Sequence, residues 1–143
     1  MPFRFLDDIA IADVAVEVLE KTLEGLFASA AEALLQIQVE DIDSVHRKLQ
    51  QTVVVTHEKI DLLLYRFLQE LIFLKDSKRL LLRPEEISIE KQEGGYRLKA
   101  KLAGEILDPL RHKQGVDVKA VTLHMFEVKQ LASGWEATIV FDI

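Results

Sequence analysis

The chain has 143 residues, 49% of them hydrophobic and 29% charged, with a formal net charge of −6. That length suits one domain over residues 1–143, able to bury roughly 70% of the surface its unfolded form exposes, and the balance excludes a disordered chain. The chain contains no cysteine, which rules out disulfides, thiolate metal sites and a cysteine nucleophile; the acidic balance argues against direct nucleic-acid binding, since phosphates would be repelled.

Met1-Pro2-Phe3-Arg4-Phe5 carries no basic stretch followed by a long apolar one, so no signal peptide is expected and a cytoplasmic location fits. The longest apolar region, from Ile60 to Leu74, is broken by Tyr65-Arg66 and Gln69-Glu70. It falls short of the roughly 18 apolar residues that span a membrane.

Ile9 to Val18 reads as a strand, with Ala12, Val14, Val16 and Val18 on one face and Asp13, Ala15 and Glu17 on the other. Thr22 offers a helix N-cap, and Leu23, Leu26, Phe27, Ala30 and Leu34 recur at helical spacing over residues 23–37. The β-branched run Gln51 to Thr56 predicts a strand. A second helix follows from His57-Glu58-Lys59 to about Lys75, apolar on most sides and therefore expected at the centre of the fold.

The remainder is strand-like. Ile87 and Ile89 alternate with polar residues, Glu93-Gly94-Gly95 signals a hairpin, and Tyr96, Leu98, Ala100 and Leu102 alternate with Arg97, Lys99 and Lys101. Val116 to Lys129 predicts one extended strand. After the turn Ala132-Ser133-Gly134, Trp135 to Ile143 returns with Trp135, Ala137, Ile139 and Phe141 on one face. This order predicts an α+β fold, two helices packed on a largely antiparallel β-sheet.

No phosphate-binding Gly-rich loop or serine elbow occurs, and the four histidines are not set at zinc-ligand spacing. His124 stands out among apolar strand neighbours, where an imidazole needs a partner. Arg111-His112-Lys113 and Lys75 to Arg79 are short basic clusters. Asp13 interrupts an apolar strand, where aspartate is disfavoured, and Asp142 is next to last in another. If the two strands meet, both carboxylates and a main-chain or terminal oxygen would make an oxygen-only cage suited to Ca²⁺ or Mg²⁺. The alternative is an edge or bulge aspartate and a solubilising terminal one. Lys119, among Val118, Ala120 and Val121, reads from pattern alone as an edge-strand lysine that blocks aggregation.

These same residues resemble the archease family. Val118-Lys119-Ala120-Val121-Thr122-Leu123-His124, then Gly134-Trp135, then Phe141-Asp142-Ile143 are similar to the family's closing strands. Asp13 followed nine residues later by Thr22-Leu23-Glu24-Gly25-Leu26-Phe27 is similar to its N-terminal motif. The chain departs from the family where Ala10-Ile11-Ala12-Asp13 stands for His-Thr-Ala-Asp, and where Glu20 stands for a glycine. The resemblance implies a divalent metal site at Asp13, Asp142 and Ile143, with Ca²⁺ the first expectation and Mg²⁺ the second. It implies that Lys119 belongs to the partner-binding surface. It also implies a non-catalytic activator of an RtcB-type tRNA-splicing RNA ligase, promoting guanylylation and multiple turnover. The alternatives are a chaperone-like modulator of other protein clients and, lower, a metal-dependent hydrolase for which no nucleophile or base stands out.

Overall fold

The computed structural model describes residues 2–6 and 13–143. The elements are β1 (Phe3–Leu6), β2 (Asp13–Glu20), α1 (Leu23–Gln38), a 3-10 turn (Ile42–Ser44), β3 (Leu49–His57), α2 (Ile60–Lys78), β4 (Leu80–Gln92), β5 (Gly95–Ile106), β6 (Ala120–Leu131) and β7 (Gly134–Asp142). The α+β class is as expected, with antiparallel pairing among the described strands. The strands form two sheets rather than one, ordered β1-β2-β7-β6 and β3-β5-β4. The N-terminal strand joins the C-terminal hairpin, a long-range pairing that local pattern does not reveal.

Thr22 caps α1 as expected, its hydroxyl accepting from the Gly25 N–H at 3.0 Å. Leu26, Phe27, Ala30 and Leu34 bury one face of that helix. α2 starts later than expected because His57 completes β3, and Lys59 takes the cap position without a side-chain hydrogen bond. Both helices lie between the sheets: α1 packs on β2, β7 and β4, and α2 on β3 and β6. This explains why α2 is apolar on several sides. Phe27 and Phe67 stack at 6.1 Å where the helices meet, and burying each large apolar side chain there contributes about 1.5–3 kcal/mol.

The inward face of the four-stranded sheet is Val14, Val16 and Val18 with Ala137, Ile139 and Phe141, packed into the main core. The expected alternation in β2 therefore holds from Asp13 onward; residues 9–12 of that expected strand lie outside the described residues, and the strand runs on to Glu20. The hairpin between β4 and β5 closes where expected, with Gly94 at φ +80°, a left-handed value that favours glycine.

The expected strand Val116–Lys129 differs. Val116 instead donates its N–H to the Ile37 carbonyl, and β6 begins only at Ala120. β6 is also broken by a large bulge. Thr122 pairs with Val140 and Glu127 with Thr138, so Leu123, His124, Met125 and Phe126 together oppose Ile139 alone. Met125 sits at φ +59°, a strained conformation for a side-chain-bearing residue.

Candidate functional site

Asp13 opens β2 and Asp142 closes β7, and the two are directly opposite in the antiparallel register. Their neighbours Val14 and Phe141 also face each other and point into the core. Alternation therefore turns both aspartates to the outer face, with Cα atoms about 4.5–5.5 Å apart as in any directly opposed pair. On the other flank of Asp142 stands the half-buried Ala120, and the next residues on the same face, Ala15 and Val140, are fully buried. Both aspartates and Ile143 are half-buried, and Lys119 is exposed.

Lys119 belongs to the same end of the sheet. It precedes β6, and its N–H donates to the Asp142 carbonyl at 2.8 Å. The start of β6 is held from the other side by α2, where the Gln69 side-chain carbonyl accepts from the Val121 N–H at 2.7 Å. The sheet thus gathers Asp13, Asp142, Ile143 and Lys119 from opposite ends of the sequence.

Two like charges directly opposed on one face repel. At about 5 Å the cost is on the order of 1 kcal/mol in water and about 3 kcal/mol at the effective dielectric of a protein surface. A bound cation reverses that sign. Two carboxylates with the Ile143 main-chain oxygen fit the oxygen-only preference of Ca²⁺ or Mg²⁺. They supply fewer than the six to eight oxygens that Ca²⁺ takes. Among the described residues no set of three His, Cys, Asp or Glu side chains converges, so the further ligands would come from water or a partner.

The buried ionic cluster lies elsewhere, at the end of β5. Glu105 is 4% exposed and His112 1% exposed. The Asp108 N–H donates to His112 Nδ1 at 2.9 Å, which puts the ring proton on Nε2, 3.1 Å from Glu105 Oε2. The His46 N–H donates to that oxygen at 2.6 Å, Arg111 donates to Oε1, and Lys48 stands 3.5 Å away. Burial alone would push the Glu105 carboxyl up; hydrogen bonds from Arg111, His46 and His112, with the Arg111 charge, outweigh it and hold it at about 2. The Arg111-His112-Lys113 run is therefore not a free basic patch: Arg111 and His112 engage Glu105, and Lys113 pairs with Glu40 at 3.0 Å.

His124 is also corrected. It is exposed on the β6 bulge, its N–H donating to Thr122 Oγ1 at 3.0 Å, and the enclosed histidine is His112. A glutamate at position 105, just after the alternating run that ends at Leu102, was the available signal for that cluster.

The fold and this sheet end define a two-sheet α+β domain whose family model spans nearly the whole chain: the archease protein family (MTH1598/TM1083) matches residues 3–143. The chain is 40% identical to an archease of Pyrococcus abyssi over 133 residues, covering 92% of this chain and 93% of that one. An archease of Thermococcus kodakarensis is 38% identical over the same shares. In structure the chain resembles Methanobacterium thermoautotrophicum protein 1598, with a TM-score of 0.86, 29% identity and 99% of each chain covered. A Thermotoga maritima archease shares the fold at a TM-score of 0.64 and 20% identity, covering 94% of this chain and 93% of that one. The chain belongs to the archease family.

Proposed function

We propose that this chain is a non-catalytic activator of an RtcB-type tRNA-splicing RNA ligase. It presents a divalent cation held by Asp13, Asp142 and the Ile143 main-chain oxygen, with Lys119 beside it. The observation that carries this reading is the direct opposition of Asp13 and Asp142 on an outer face, with Lys119 bonded through its N–H to Asp142. A cation so held keeps coordination positions open toward a partner. It would supply positive charge to phosphate or nucleotide groups in the ligase's active site, while the Lys119 ammonium adds a second, mobile one.

Purified chain is mixed with the ligase from the same source, and ligase guanylylation is followed with and without chelator. Stimulation lost with chelator and in folded Asp13→Ala, Asp142→Ala and Lys119→Ala variants supports the reading. Undiminished stimulation by all three variants defeats it.

A chaperone-like role toward other clients is the second reading. The β6 bulge favours it by exposing Leu123 and Met125, at 58% and 50%, next to the candidate site. The Thermotoga maritima relative is described as a possible chaperone. Suppression of aggregation of an unrelated unfolded protein, lost in Leu123→Ser and Met125→Ser, separates this reading from ligase activation.

A further inference from the structure

The three-stranded sheet has an outer face that the helices do not cover, and the central strand lays a row of cations along it. Arg97, Lys99 and Lys101 alternate with the buried Leu98, Ala100 and Leu102. On the β4 side this row is opposed by Glu90, Ser88 and Glu86, which with it line a groove of about 310 Å³. Lys101 and Glu86 stand 3.8 Å apart. On the β3 side the row is opposed by the uncharged Thr56, Val54 and Thr52. The flank of the row toward β3 therefore carries positive charge with no anion on the sheet beside it.

β3 is also an edge strand, and of a different kind from the others. Among the described residues four strands lie at sheet edges: β1, β6, β3 and β4. β1 has only four residues. β6 is bulged and has an edge N–H taken by Gln69. β4 carries Pro84, a register shift and several glutamates. Short strands, bulges, proline and charge are the devices that keep an edge from pairing. β3 has none of them over Leu49 to Thr56: it is nine residues long, unbroken in register, and Gln-Gln-Thr-Val-Val-Val-Thr at its centre. The Thr52 and Thr56 carbonyls accept from the Gln51 and Arg66 side chains, which places those two carbonyls, and by alternation the backbone groups of Val54, on the side away from β5. Val54, between them, is 47% exposed.

We infer that β3 is a strand-addition site for an extended, acidic segment of a protein partner. A segment paired along β3 would take the outward groups of Val54, replace the Gln51 and Arg66 side chains at the Thr52 and Thr56 carbonyls, and lengthen the sheet by one strand. Its outer-face side chains would lie about two strand spacings, roughly 10 Å, from the cation row. Glutamates there reach over Thr52, Val54 and Thr56 to meet Lys99, Lys101 and Arg97. Its inner-face side chains continue the apolar surface of Val53 and Val55. A nucleic-acid strand laid on the cation row itself would run against Glu86 and Glu90, which disfavours RNA as the occupant.

The test uses the full chain and a labelled peptide of the same length as β3 in which Glu and Val alternate, read by fluorescence anisotropy. Saturable binding is expected, with hydrogen exchange slowed at Thr52, Val54 and Thr56. Val54→Pro removes an outward N–H and is expected to weaken binding about tenfold or more. Lys99→Glu, on the exposed face where folding is not at risk, is expected to weaken it several-fold, with the remainder less sensitive to salt. The inference is overturned by absent binding, by equal binding of an alternating Lys and Val peptide, or by an unchanged affinity in Lys99→Glu. It is equally overturned if oligouridylate binds this face in the peptide's place, or if β3 is already occupied by a second copy in sedimentation at the assay concentration. None of these outcomes bears on Asp13, Asp142 or ligase stimulation.

Discussion

Two acidic regions of this molecule are built on opposite terms. Glu105 is enclosed, and each of its oxygens meets donors: Arg111 and Lys48 on one, His112 and the His46 N–H on the other. Asp13 and Asp142 stand on an outer face with a like charge as the nearest register partner. An acid whose neighbours within the chain satisfy it ties elements together, here the loop after β5 and the segment before β3. Acids whose nearest neighbour repels them leave a net attraction for something outside the chain. This contrast separates the structural carboxylate from the two proposed to hold a cation.

The largest effect that sharpens the contrast is expected at Glu105. Removing one partner of a buried ionic cluster strands the others, at a cost of about 3 kcal/mol or more. Glu105→Ala should therefore lower stability in urea unfolding by that order, while the proposed stimulation of a ligase should be unchanged wherever the variant is folded. Stability near wild type would erase the distinction between the two regions.

Acid should act on the same cluster. The Glu105 carboxyl titrates at about 2 when folded against 4.5 in the unfolded chain. Its ionised form therefore favours folding. That contribution is complete above the unfolded value, fades as pH falls between the two, and is gone below the folded one. In Glu105→Gln the decline of stability over this window should be shallower than in wild type, as checked by melting temperatures taken across it.

A smaller effect is expected beside the candidate site. Met125 holds φ +59°, which glycine adopts without strain. Met125→Gly should raise stability by up to about 1 kcal/mol in chemical unfolding. A clear loss would show that packing of the Met125 side chain outweighs the backbone strain.

What the sequence made legible follows its local periods. The Thr22 cap, the Val14-Val16-Val18 face and the hairpin at Gly94 each rest on residues within a few positions of one another, and local sterics decide them. β1 is not legible, because Phe3-Arg4-Phe5-Leu6 is too short to show a period. The bulge at Leu123 to Phe126 is invisible because no glycine, proline or turn residue marks it and tertiary packing sets the break. Arg97, Lys99 and Lys101 were plain as an alternation, but a basic surface sought as contiguous residues misses one made by every second residue. Asp13 and Asp142 were legible one at a time; their opposition depends on the first long strand pairing with the last, a contact no local pattern encodes.

If this opposed pair holds a cation as proposed, Ca²⁺ must stabilise the fold, which thermal unfolding with and without Ca²⁺ reads. A ligand at about 100 times its dissociation constant stabilises the folded state by about 2.7 kcal/mol. Wild type should melt at a higher temperature as Ca²⁺ is added. Asp13→Asn with Asp142→Asn, which keeps the shape and removes the charge, should melt no lower than wild type without Ca²⁺ and should not respond to it. An equal Ca²⁺ response in wild type and the double variant would show that Asp13 and Asp142 do not hold the cation.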